Sequence, residues 1–214
     1  MLSISDILNA LKQNYRQEKS ILRLNLGVGP YPIDKVTKQI MQSYGEGWVY
    51  IDKYIKQPGT QNYDIRNLPY ALGSVDTILA SHILEHIPFI KVSQVLKYWH
   101  SLLKPKGQIY LNVPDMEWLC QRFVDLAKAN RNKSQKYQKT FFNVACDYRN
   151  AKHSFLSALF GTHEHEGEIH HSGFTKESLK DLLHQCGFKV EEIKAVVEQH
   201  DVGCIIIKAS KISV

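Results

Sequence analysis

Short apolar runs alternate with amphipathic stretches through the first half of the chain, and this rhythm constrains the fold more than any other feature. Ile21–Leu26 is a run closed by Gly27, and Trp48–Ile51 is a second that ends at Asp52. A weaker run passes through Gln61-Asn62-Tyr63 to Asp64, a fourth covers Ser74–Ala80, and a fifth covers Gln108–Val113. Runs this short, bounded by turn residues, read as buried strands. Between them lie helical patterns. Ile33, Val36, Ile40 and Met41 form one apolar stripe after Pro32; Val92, Val95, Leu96, Trp99 and Leu103 form another. Lys104-Pro105-Lys106-Gly107 stops the second helix, with the glycine suited to a left-handed cap. Strands separated by helices must run parallel, with helices on both faces of the sheet.

The C-terminal part breaks the rhythm. A helix over about Thr175–Cys186 stops at Gly187, and two strands follow closely, Lys189–Val197 and Gly203–Lys208. The link between them is too short for a crossover helix, so they pair antiparallel. The expectation is one α/β domain over residues 1–214, with a mostly parallel seven-stranded sheet, a C-terminal antiparallel hairpin and helices on both faces. An amphipathic helix is expected before residue 20, and residues 114–173 form an insertion over the open end of the sheet. A chain of 214 residues with 43% apolar content has ample material for such a core.

Several function classes drop out. No apolar run is long enough for a membrane span. Met1–Asp6 lacks a signal-peptide pattern, so a cytoplasmic protein is expected. Cys120, Cys146, Cys186 and Cys204 form no C-x-x-C pair, which disfavours a zinc ribbon; reduced thiols are expected. The net charge of +6 is compatible with an anionic or nucleic-acid partner without requiring one. Lys128–Lys139 carries five basic residues and no acid, most simply a solvated helix face.

On an open parallel sheet, ligands sit beyond the carboxyl ends of the strands. Here the first strand leads into Leu26-Gly27-Val28-Gly29-Pro30, and Asp52 stands at the end of the next. Gly27 permits a tight turn, Gly29 lets the backbone approach a ligand, and an acid at the second strand end can accept from ribose hydroxyls. This is a nucleoside site. The dinucleotide fingerprint needs a third glycine where this chain has Pro32, which has no N–H for a phosphate. A cofactor without a pyrophosphate is favoured over NAD.

The ordered motifs add a resemblance. Leu24-Asn25-Leu26-Gly27-Val28-Gly29-Pro30, Gly47-Trp48-Val49-Tyr50-Ile51-Asp52 and Asp64-Ile65-Arg66-Asn67-Leu68-Pro69 are followed by Leu84-Glu85-His86, Leu103-Lys104-Pro105-Lys106-Gly107, Val113-Pro114-Asp115 and Gly187-Phe188. In this order the chain resembles the class I S-adenosylmethionine-dependent methyltransferases, in particular small ones with an L-N-L-G-x-G-P loop and an L-E-H motif. The resemblance implies a Rossmann-like class I methyltransferase fold with S-adenosyl-L-methionine as cofactor. It implies that Leu26, Gly27 and Gly29 line the methionine and ribose, that Asp52 holds the ribose diol, and that Asp64 and Ile65 flank the adenine. Ser81 then lies near the methionine end. Relatives often have a carboxylate where this chain has Asn25; the amide is expected to keep a cofactor role through a hydrogen bond.

Methyl transfer is an in-line displacement, so positioning does most of the work and a base is needed only if the acceptor must lose a proton early. His82 and His86 follow the fourth strand and border the expected acceptor site. Both are base candidates, against a plainer reading in which Glu85 and His86 brace the turn. Four histidines and three glutamates crowd Thr162–His171. Their spacing matches no familiar zinc module, so no metal is expected. His171, with His170 beside it, fits a family position before Gly173-Phe174 and is expected on the acceptor side. A small molecule or sugar is the expected acceptor. RNA or protein is the alternative, motivated by the basic run, and a non-catalytic protein that keeps the cofactor fold is a third. Oligomeric state is not legible.

Overall fold

The computed structural model describes residues 21–29, 35–131, 155–197 and 202–212. The helix expected before residue 20, Pro32, Cys146 and most of the basic run Lys128–Lys139 lie outside these residues. The strands are β1 (Arg23–Leu26), β2 (Trp48–Ile51), β3 (Thr60–Gln61), β4 (Val75–Ser81), β5 (Leu103–Pro114), β6 (Phe188–Val197) and β7 (Gly203–Lys211). The helices are α1 (Lys35–Tyr44), α2 (Phe89–Leu102), α3 (Met116–Arg131), α4 (Phe155–Phe160) and α5 (Lys176–Gln185). One seven-stranded sheet has the order β3-β2-β1-β4-β5-β7-β6. The first five strands pair parallel, and β7 pairs antiparallel with both β5 and β6. The Rossmann-like sheet with a C-terminal antiparallel hairpin is therefore the observed fold. Among the described residues no helix is long and apolar enough to cross a membrane.

Alternation along the strands sorts the side chains to two faces. Leu24, Leu26, Ile78, Ala80, Ile109 and Leu111 join the main core, with α2 and α5 supplying Leu96, Trp99, Leu179 and Leu183. Leu79 and Tyr110 point the other way and pack with Met41 of α1. Helix α2 has no side-chain N-cap bond, its N-cap being Pro88. A cap contributes about 1 kcal/mol, whereas each of its five buried apolar residues, Val92, Val95, Leu96, Trp99 and Leu102, contributes roughly 1.5–3 kcal/mol. Burial decides this helix. Helix α5 uses both devices: Thr175 Oγ1 accepts from Ser178 N at 3.2 Å, and Ser178 Oγ accepts from Thr175 N at 2.9 Å.

Local differences from the sequence reading have local causes. The first strand begins two residues late because the Leu22 amide donates to the Asp76 carboxylate at 2.8 Å instead of to the ladder. The third strand is Thr60–Gln61, not Gln61–Asp64. Asn62 Nδ2 donates to the carbonyls of Asp52 and Ile55 at 3.0 and 2.7 Å and turns the chain out of the sheet. The left-handed residue after α2 is Lys106, with φ of 63°, not Gly107. Glycine is needed at 107 for a different reason, since a Cβ there would lie 2.9 Å from the Lys104 carbonyl oxygen. Residues 104–107 loop out of the β4–β5 register, which resumes at Gln108 opposite Thr77. Cys120, Cys186 and Cys204 are free thiols.

Candidate active site

A cleft opens at the carboxyl ends of β1, β2 and β4. Gly27, Gly29 and Asp52 lie on one side of it. Gly27 and Gly29 both take left-handed backbone, with φ of 69° and 65°. Their surroundings differ. A Cβ on Gly27 would sit 2.6 Å from the Ile83 side chain, whereas one on Gly29 would meet nothing within 4 Å among the described residues. Gly27 is thus a packing contact and Gly29 faces open cleft. Gly27 N donates to the Ile51 carbonyl at 2.8 Å, which pins the loop to β2.

Asp52 organises this end of the cleft. Its Oδ1 accepts from the backbone N–H of Tyr54 and Ile55 at 2.8 and 2.9 Å. Its Oδ2 accepts from Gly29 N at 2.9 Å. An ionised carboxylate offers about four acceptor positions. Among the described residues three are used, so Oδ2 retains one for a further donor. That remaining position, opposite an open Gly29, is what a ribose hydroxyl requires, and the site fits a nucleoside cofactor on this ground.

Asp64 and Ile65 line the cleft next to it. The Asp64 carboxylate takes a bidentate hydrogen bond from Arg66 and lies 3.4 Å from Lys53 Nζ. The Arg66 hydrogen bond holds its carboxyl well below the usual carboxylate range. Helix α2 fixes this segment from behind: Trp99 Nε1 donates to the Ile65 carbonyl at 2.9 Å, while the Tyr98 hydroxyl accepts from Leu68 N at 2.7 Å and donates to Leu68 O at 3.0 Å.

Three residues expected at the cofactor stand behind the cleft rather than in its lining. Leu26 is fully buried core. Asn25 is on the α1 face of β1, and its amide contacts Met41 Sδ at 3.5 Å. Alternation explains this: if Leu24 and Leu26 serve the main core, Asn25 must face α1. Ser81 Oγ accepts from Asn112 Nδ2 at 3.2 Å at the end of β4.

The four candidate histidines separate in the same way. His82, His86 and His171 line the cleft. His82 has φ of 50°, a left-handed conformation uncommon for a residue with a Cβ. Both its ring nitrogens have partners: Nδ1 lies 3.3 Å from Glu85 Oε1, and Nε2 lies 3.2 Å from Asn112 Nδ2. His86 Nδ1 is 3.2 Å from the Ile169 carbonyl oxygen. His170 packs edge-on against His86, with ring centroids 4.8 Å apart. Burial pushes His170 below the ordinary histidine range, against the charge of Glu85. The His171 ring is exposed at the cleft, while its backbone N–H donates to the Glu85 carbonyl at 2.8 Å.

The sequence reading missed the roof of the cleft. His165, Gly167 and Glu168 line it together with Tyr54 from the loop after β2. The Tyr54 and His165 rings are 5.1 Å apart, and a Cβ on Gly167 would overlap Tyr54 at 2.3 Å. These residues of the His-rich loop thus share one cleft with Tyr54. A tyrosine two residues after Asp52 and a glycine inside a polar loop carry no pairing signal in the sequence. Glu85 was read only as a brace for its turn; its burial was not legible.

A family model described as a methyltransferase domain matches residues 18–193. No curated protein sequence matches the chain. Among solved structures, the chain is similar to the 1,6-didemethyltoxoflavin-N1-methyltransferase of Burkholderia thailandensis, solved with 1,6-didemethyltoxoflavin and S-adenosylhomocysteine. The TM-score is 0.57 at 13% identity, covering 95% of this chain and 76% of the other. A SAM-dependent methyltransferase from Methanosarcina mazei gives a TM-score of 0.55 at 18% identity over 94% and 97%. The magnesium protoporphyrin IX methyltransferase of Synechocystis, solved with S-adenosylhomocysteine, gives 0.53 at 12% identity over 97% and 81%. The chain belongs to the methyltransferase domain family. Within it, the enzyme class is S-adenosylmethionine-dependent methyltransferase and the cofactor is S-adenosylmethionine.

Proposed function

We propose that the chain methylates a small-molecule acceptor, of hydroxylated or sugar type, in the cytoplasm, with His171 on the acceptor side of the cleft. The observation that carries this reading is that Gly29, Asp52 and the exposed His171 line one cleft beneath a loop seated on Tyr54. A cleft partly covered by a loop suits a small acceptor. S-adenosylmethionine, when bound, supplies a methyl group already activated on a sulfonium. Asp52 accepts from a ribose hydroxyl through its remaining Oδ2 position. Asp64 and the Ile65 backbone flank the base, with Arg66 and Trp99 holding them in place. Ser81 and Asn25 support the strand ends from behind.

His171 is preferred among the histidines on grounds of partners. His82 has both nitrogens engaged and keeps the turn after β4 in shape. His86 and His170 face Glu85. His171 offers an exposed ring to an acceptor, to accept its hydrogen bond or take its proton. The test is transfer from methyl-labelled S-adenosylmethionine to a panel of small hydroxyl, amine and carboxylate acceptors. His171→Ala should lower kcat by about 100-fold, the low end of what a positioned proton acceptor contributes, while S-adenosylhomocysteine affinity stays as in the wild type. Label entering RNA or protein, and no small acceptor, would sink the small-molecule reading.

A further inference from the structure

Glu85 is a buried carboxylate that His82 pairs on one oxygen. Its exposure is 1%, and among the described residues its Oε2 has no hydrogen-bond partner. Its ion pair with His82 Nδ1, at 3.3 Å, leaves Oε2 unmatched. Burying a charge costs several kcal/mol, and His82 answers one oxygen only. Two further imidazoles stand next to it. One ligand atom from each of Glu85, His86 and His170 lies within 4.8 Å of the others.

The orientation of those rings is informative. His86 Nδ1 faces the Ile169 carbonyl at 3.2 Å, and the His170 ring packs edge-on against His86. A ring nitrogen that donates to a carbonyl leaves the lone pair on the other nitrogen, the arrangement common in metal-ligating histidines. A ring nitrogen from each of two imidazoles and a carboxylate oxygen thus lie together, with His82 beside the carboxylate as an outer partner. The set is built across the fold: Glu85 and His86 come from the turn after β4, and His170 from the loop that roofs the cleft. This is why the spacing within the His-rich loop gave no metal signature. His163 is not in the set; its Nε2 lies 2.9 Å from the Phe160 carbonyl oxygen.

We propose that Glu85, His86 and His170 form a three-ligand site for a divalent first-row transition ion. Two imidazoles favour zinc or cobalt over magnesium and calcium, which prefer all-oxygen shells. Three protein ligands leave a fourth position for water or another oxygen. The ion compensates Glu85 and ties the roof loop to the turn after β4, one side chain from the cleft, since His86 lines it. The site needs neither cofactor nor acceptor, so its failure and that of the methyl-transfer reading are distinguishable.

The test is calorimetric titration of chelator-stripped protein with zinc chloride or cobalt chloride, with elemental analysis after dialysis. The expected result is one ion per chain, undisplaced by millimolar magnesium or calcium. His170→Ala and Glu85→Gln should each weaken zinc binding by roughly 100-fold or more, at or beyond the effect of losing an outer partner. Glu85 is a core residue, so if Glu85→Gln does not fold, His170→Ala carries the result. His163→Ala, in the same His-rich loop, should bind zinc as the wild type does. No ion bound by the wild type, unchanged affinity in His170→Ala, or an equal loss in His163→Ala would each overturn the site.

Discussion

Asp52→Ala should weaken S-adenosylhomocysteine binding by roughly 10- to 100-fold. Losing one charge-assisted hydrogen bond costs about 1.5–3 kcal/mol, and each 1.4 kcal/mol is about tenfold in affinity. The effect has two sources. The carboxylate is the proposed acceptor for a ribose hydroxyl, and it also holds the N–H groups of Gly29, Tyr54 and Ile55. Alanine removes all of these together, so the glycine loop and the loop carrying Tyr54 both lose their anchor. Asp52→Asn keeps one acceptor oxygen and should fall between alanine and wild type. Calorimetry on the three proteins, with folding checked by circular dichroism, reads the result. Equal affinity in all three removes Asp52 from the site.

The second large effect separates two glycines that look alike in the sequence. Gly27→Ala should lower stability by about 2–4 kcal/mol, combining overpacking with left-handed strain of about 1–2 kcal/mol. Its methyl group would lie 2.6 Å from the Ile83 side chain, inside the packed base of the loop. Gly29→Ala carries the strain, at φ of 65°, without the clash. Its added methyl enters the cleft instead, so it should cost mainly cofactor affinity, by an order of magnitude or more. Thermal melts and calorimetry on both variants check the contrast. A Gly29→Ala protein that binds S-adenosylhomocysteine normally would place the cofactor elsewhere.

The fold was legible because its signals are periodic. Strand runs and helix stripes each report which face is buried, and the short link between the last two strands forced an antiparallel pair. What periodicity cannot report is where a strand's hydrogen bonds are diverted, as by Asp76 at Leu22 and by Asn62 after β3. Gly27, Gly29, Asp52 and Asp64, singled out in chain order from the sequence, line one cleft. Asn25 and Ser81 show the limit: lying beside a site residue in sequence says nothing of which face a side chain takes. The proposed acceptor side depends on contacts between distant segments, such as Tyr54 with Gly167 and Glu85 with His170. Those pairings arise only when the roof loop folds back over the sheet.

The central claim is that the cleft between Gly29, Asp52 and Asp64 is a nucleoside site without a pyrophosphate subsite. Its most direct test is calorimetric titration of the intact chain with S-adenosylhomocysteine and, separately, with NAD. The account predicts one S-adenosylhomocysteine bound per chain and no measurable binding of NAD. Binding of NAD without S-adenosylhomocysteine, or of neither, would contradict it.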